Sequence, residues 1–145
     1  MIIKNFKYSR EMLDVKQKDI AELFNVHFST VSGWETGKDT IPIERLVDYA
    51  NHYNYSLDYL FGIKNYNEEY LPLTLDLNLI AHNLKILRKK NNYTQEKLAK
   101  KLNTNQASYA HYENARNLMS LSFLCNLSKI YKDISIDKML GRKKK

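Results

Sequence analysis

Apolar residues recur along this chain at steps of three and four, the spacing that lines one face of an α-helix. Asn, Gly or Pro stops each run within a few turns. From the amino end the pattern predicts helices over residues 3–13, 17–24, 28–36, 43–53 and 56–61. The count then starts again. Ile80, Leu84 and Leu87 line a helix over 77–91, with Lys85, Arg88, Lys89 and Lys90 on its other face. Thr94 is placed to cap a short helix carrying Leu98, Ala99 and Leu102, and further helices follow over 106–114, 121–131 and 135–140. Asn25 and Asn103 sit where a left-handed residue ends a helix, Gly37 does the same for the third helix, and Ser56 caps the fifth.

The second five segments repeat the first. QKDIAELFNVHFSTVSGWETG, starting at Gln17, returns 78 positions later as QEKLAKKLNTNQASYAHYENA, starting at Gln95, and SLDYLFG is answered by SIDKMLG after a gain of one residue. Two domains are therefore expected, over 1–66 and 77–141. Residues 67–76 are read as an extended linker whose leucines rest on a neighbouring domain, because Pro72 denies a continuous helix and Leu71, Leu73 and Leu75 alternate with period two. A strand pairing two chains is the less favoured reading, since one isolated strand has few ladder bonds to gain. A linker of about 12 extended residues reaches on the order of 40 Å. The basic tail 142–145 is expected to be disordered.

Composition narrows the function classes. Apolar residues at 43% suffice for packed cores, and four Gly and two Pro leave little material for an all-β fold. One Cys forms no internal disulfide, and no signal peptide or membrane span is legible, so a reducing, cytoplasmic setting is expected. The net charge of +7 is unevenly spread: residues 1–66 carry 8 bases against 9 acids, while 78–145 carry 15 against 4. That second field suits a polyanion, although a solvated surface and AT-rich codon bias explain Lys excess equally well.

Two short helices joined by a tight turn present the second to a nucleic-acid groove when a core holds the pair rigid. Ala21 and Ala99 supply the small residue that lets the helices cross closely. Ile20, Phe24, Val31 and Trp34 supply inward apolar groups, answered by Leu98, Leu102, Tyr109 and Tyr112. The outward face is then free to differ between copies. The stretches QKDIAELFNVHFSTVSGWETGK with YSLDYLFG, and RKKNNYTQEKLAKKLN with YENAR, resemble the helix-turn-helix family of phage repressors and Cro proteins, the XRE family. The likeness covers both halves. It implies an all-α fold of two tandem five-helix, lambda-repressor-like domains, with the third helix of each in the DNA major groove.

The same resemblance implies site residues. An Arg of the first helix and a Glu near the end of the third would pair as scaffold, here Arg10 with Glu35 and Arg88 with Glu113, each 25 residues apart. Gln17 and Gln95, opening the second helices, would touch phosphate, joined by Lys38, Lys100, Lys101 and Arg116. Bases would be read by Asn105, Gln106, Ala107, Ala110 and His111 in the second copy, and by His27, Phe28, Ser29, Ser32 and Gly33 in the first. Gln106 suits adenine, Asn105 a phosphate or adenine, and the alanines a thymine methyl. Three departures from the family stand out. Ala115 replaces the usual Gly, so either Asn114 takes the left-handed position or the helix runs on. Ser9 stands where Leu87 supplies core, which suggests looser packing. The extra residue before SIDKMLG is the third.

His27 and His111 lack partners at metal-ligand spacing, Cys125 is read as core with no nucleophile pattern, and no cofactor or enzyme motif is present. The expectation is a sequence-specific DNA-binding transcriptional regulator acting as a repressor. Its rivals make domain 1 a dimerisation or protein-interaction module, motivated by Phe28 and the tyrosines, or make the chain an antagonist of a nucleic-acid-binding machine. A homodimer is plausible by resemblance.

Overall fold

The structure is a computed structural model describing residues 1–145, and it is all-helical, with ten helices in two compact units, residues 1–70 and 71–145. The first unit contains α1 (Phe6–Met12), α2 (Gln17–Phe24), α3 (Phe28–Thr36), α4 (Ile43–Tyr53) and α5 (Leu57–Phe61). The second contains α6 (Leu77–Lys90), α7 (Gln95–Lys101), α8 (Gln106–Glu113), α9 (Leu121–Ile130) and α10 (Ile136–Met139). The expected helices are present with ends moved by a residue or so, except that α1 starts at Phe6 rather than residue 3.

Local chemistry sets those ends. The Thr94, Asn105, Ser120 and Ser135 side chains each accept a backbone N–H of the following turn, which satisfies donors that a helix start leaves orphaned. Asp76 does this for α6 through two N–H groups. At the other ends Asn25, Asn54 and Asn103 turn left-handed at φ 53°, 59° and 57°. Ala115 also does so, at φ 58°, while Asn114 stays at −93°. The expectation that Asn114 would take the left-handed position, or the helix run on, is therefore corrected: the alanine itself adopts a conformation that its Cβ disfavours.

Each unit wraps its own core. In the first, Ile20, Val31, Leu46, Tyr49 and Leu60 are fully buried, and Phe6 lies 4.7 Å, centroid to centroid, from Tyr49. In the second the equivalent volume is filled by Leu84, Leu98, Tyr109, Leu124 and Leu127. Burial of each such side chain contributes about 1.5–3 kcal/mol, which offsets the ordering cost of helices too short to persist alone. Ala21 and Ala99 are buried where the second and third helices of each unit cross. Ser9 does not loosen the packing. It is fully buried, and its hydroxyl lies 2.7 Å from both the Phe6 carbonyl and the Tyr49 hydroxyl. A small residue facing a large one replaces the Leu87 and Leu127 of the second unit.

Residues 67–76 are held in place, as expected for Leu73 among the linker leucines. Within the first unit Asn67 accepts from the Ser56 N–H at 2.7 Å and donates to the Asn54 carbonyl at 2.9 Å. Within the second, Leu73 is buried and the Leu71 N–H donates to the Lys143 carbonyl at 2.7 Å. The reach computed for a free 12-residue linker therefore does not apply. The tail is corrected likewise. Arg142 is buried, bonds the Asp137 carboxylate at 2.9 Å, and donates to the Leu71 carbonyl at 3.0 Å. Its hydrophobic counterpart in the first unit is Ile63, so the sequence offered only a basic run with no sign that one member turns inward.

Candidate nucleic-acid interface

In each unit a bidentate ion pair fastens the third helix to the first. Arg10 donates to Glu35 at 2.6 and 2.9 Å, and Arg88 to Glu113 at 2.6 and 3.0 Å, with both carboxylates almost wholly screened from water. The remaining nitrogen of each guanidinium donates to the carbonyl of Val15 or Tyr93, which fixes the turn into the second helix. The hydrogen bond from each arginine to its glutamate raises the guanidinium pKa. Burial works against the Glu113 charge, but the Arg88 and Gln95 hydrogen bonds outweigh it and hold that carboxyl below its usual range.

Gln17 and Gln95 join these pairs. Their amide nitrogens donate to Glu35 at 3.0 Å and to Glu113 at 3.2 Å. One N–H of each half-buried amide is thereby committed to the scaffold. The sequence reading assigned these residues to phosphate alone and missed their attachment to the scaffold. A signal existed: the Gln-to-Glu interval is 18 residues in both copies. The Val15 and Tyr93 carbonyls stand at an equally constant interval, five residues after each arginine, but a backbone acceptor leaves no mark in residue type.

Helical periodicity divides α8 into two faces. Tyr109 is fully buried, while Gln106 and Ala107 are exposed and Ala110 and His111 half-exposed one turn later. Asn105, also exposed, accepts the Ser108 N–H at 2.8 Å through its side-chain oxygen, so its NH2 is the end most available to a ligand. Tyr112 is half-exposed and its ring stands 4.6 Å from Phe123, whereas its counterpart Trp34 is buried. Lys100, Lys101 and Arg116 are exposed, and Lys101 lies over the Tyr93 ring at 5.2 Å. Cys125 is only half-buried, and burial pushes its thiol pKa up.

The corresponding surface of α3 has different chemistry. The His27 Nδ1 accepts the Ser29 N–H at 3.2 Å and lies 2.8 Å from the Ser29 hydroxyl, so the imidazole presents its other nitrogen as a donor. Phe28 is 56% exposed and its ring lies tilted beside His27, 4.6 Å between centroids. Ser29 is exposed, Ser32 half-exposed, and Lys38 exposed just past the helix end. Gly33 departs from the expected list of outward contacts. It is buried, and a carboxylate oxygen of Asp39 lies 2.8 Å from where its Cβ would stand. The glycine makes room for the loop after α3 and offers no side chain to a groove.

These paired helices, held by the same ion pair twice, are tandem helix-turn-helix domains. A helix-turn-helix family model matches residues 6–60 and again 84–139, and the chain belongs to that family, the XRE type of DNA-binding regulators. No curated protein and no solved structure matches the chain. No helix is long and apolar enough to cross a membrane.

Proposed function

We propose that this protein is a cytoplasmic, sequence-specific reader of double-stranded DNA that represses transcription by occupying a promoter, with the second unit as its principal reading head. The observation that carries the reading is the exposed first turn of α8, where Asn105, Gln106 and Ala107 stand together on a capped helix. Residues 71–145 around that helix carry 15 bases against 5 acids. Gln106 has the fork that adenine requires, Ala107 and Ala110 suit a thymine methyl, and His111 reaches a further edge. Asn105 fits phosphate better than adenine because its oxygen already serves the cap. Lys100, Lys101 and Arg116 neutralise phosphates and Gln95 donates a hydrogen bond to one, and Lys38 with Gln17 does the same in the first unit.

A second reading assigns the first unit to protein contact. Phe28, at the start of α3, favours it, since a large exposed aromatic is common in protein interfaces. Unit 1 also holds 8 bases against 11 acids, a poor field for a polyanion. Selection from random duplex DNA, by the full chain and by full-length variants carrying Phe28→Ala with Ser29→Ala or Gln106→Ala with Asn105→Ala, separates the two. A bipartite site that loses one part in each variant makes both units readers. A site unchanged by the α3 substitutions and abolished by the α8 substitutions makes the first an interaction module. Absence of any enriched sequence would overturn the DNA reading in favour of a protein target.

A further inference from the structure

The outward face of α3 carries a carboxylate that the helix itself does not supply. Helical spacing puts Gly33 one turn beyond exposed Ser29, on the side away from buried Val31 and Trp34, where the second unit places half-exposed His111. Gly33 has no side chain to present there. Asp39 fills the gap: one oxygen of its carboxylate lies 2.8 Å, and the carboxylate carbon 3.6 Å, from where the Gly33 Cβ would stand. A Cβ at this position would push the acid aside.

The backbone holds Asp39 in this place. Its N–H donates to the Gly33 carbonyl at 3.1 Å, and Ile41, two residues on, is buried in the core. In the second unit the N–H that returns to the equivalent carbonyl, that of His111, belongs to Arg116, the counterpart of Lys38. The loop of the first unit thus runs one residue further before it meets the helix, and it brings up an acid. Asp39 is exposed and forms no ion pair, so its acceptors remain open to a ligand.

We infer that Asp39 is a specificity-determining residue of the first unit, standing in for the side chain that Gly33 lacks and accepting the N4 amino group of a cytosine in the major groove. The inference rests on the proposed role of the chain as a DNA reader, and it adds a base contact made from outside α3. A carboxylate only accepts hydrogen bonds. Cytosine offers it a donor, guanine presents two acceptors, thymine one, and adenine an acceptor beside its donor. Guanine and thymine therefore repel the acid, and adenine satisfies it less well. Phosphates repel it at every site, so Asp39 lowers affinity for DNA in general and is compensated at cytosine.

Selection from random duplex DNA tests it, using the full chain and full-length variants carrying Asp39→Ala, Asp39→Asn, or Phe28→Ala with Ser29→Ala, with affinity for unselected duplex measured beside it. The wild type should enrich cytosine at one position of the part that is lost with Phe28 and Ser29. Asp39→Ala should weaken that preference by about fivefold or more and leave the other positions unchanged. Asp39→Asn, which gains the fork for adenine, should shift the position toward adenine. Affinity of Asp39→Ala for unselected duplex should rise, because a charge that repels phosphate is gone, whereas a loop merely damaged by the exchange would lower it. A first-unit part without cytosine, cytosine retained by Asp39→Ala, or a fall in its affinity for unselected duplex would overturn the Asp39 contact alone. If Phe28→Ala with Ser29→Ala changes no part of the selected site, the first unit is not a reader and the contact falls with that role.

Discussion

The guanidinium of Arg88 grips the carboxylate of Glu113 through two hydrogen bonds while both groups lie out of water, and the pair ties α8 to α6. Desolvating two charges costs much of what their attraction returns, so the pair is worth more as a constraint than as net stability. Removing one partner strands the other. Arg88→Met should therefore destabilise the protein by about 3–5 kcal/mol, and Arg88→Met combined with Glu113→Leu should recover most of that loss. Urea unfolding of the two variants checks it. A double variant as damaged as the single would mean that the backbone contact to Tyr93, not the charge balance, dominates.

The same pair predicts an acid response. The Glu113 pKa is lower in the folded protein than the unfolded value of about 4.3, so its contribution is present above that value and lost as pH falls through the folded pKa. The stability difference between wild type and Glu113→Gln should accordingly be constant above about pH 5 and shrink below about pH 4. Denaturant unfolding across that range reads it directly. A difference that does not narrow would show that the carboxylate is not held in its charged form.

Ala115 occupies the left-handed region at φ 58°, where its family usually places glycine. The strain of a Cβ in this conformation is about 1–2 kcal/mol, partly balanced by the extra freedom that glycine gains when unfolded. Ala115→Gly should stabilise the second unit by up to about 1 kcal/mol. The reverse exchange in the first unit, Gly37→Ala, should destabilise, because at φ 85° the added Cβ would also lie 2.9 Å from Ile2 Cγ1. Thermal melts of the two variants should move in opposite directions, and shifts of the same sign would refute the strain argument.

What was legible in the sequence was what repeats or recurs with a helical period. The ten helices, the crossing alanines and the Arg–Glu spacing all satisfy local rules twice over, and so they survived into the structure. What escaped was set by partners distant in sequence. Arg142 reads as part of a lysine-rich tail until Asp137 and the Leu71 carbonyl are seen around it. Gly33 reads as an outward position on α3 until Asp39 folds back over it. Ser9 suggested a gap because its filler, Tyr49, lies 40 residues away on another helix. On α3 and α8, periodicity identified which residues face outward but not which atoms the caps consume, and this altered the roles proposed for Asn105 and His27.

The Ser9–Tyr49 contact makes that last kind of error measurable. Burial raises the Tyr49 pKa, and the Ser9 hydroxyl is its hydrogen-bond partner at 2.7 Å. Ser9→Ala leaves a buried phenol without that partner and should cost about 1–3 kcal/mol. Ser9→Leu alone should overpack the site, while Ser9→Leu with Tyr49→Leu imports the residues found at the equivalent positions of the second unit, Leu87 and Leu127, and should restore near-normal stability. If the double exchange unfolds the protein, the two units are not interchangeable at this level of packing.

Reading and anchoring should separate in a binding experiment. Gln106 offers a donor and an acceptor to one base edge, and a good bidentate contact is worth about 1–3 kcal/mol of discrimination. Gln106→Ala should weaken binding to the selected sequence by that amount and leave binding to random duplex nearly unchanged. Lys100 carries only a charge, so Lys100→Ala should weaken all duplexes alike and flatten the dependence of log affinity on log salt by about one unit. The two slopes, measured on the same DNA, decide the matter without a structure of the complex. Were both variants to lose specific and non-specific affinity equally, Gln106 would be a phosphate contact and the base readers would have to be sought elsewhere on α8.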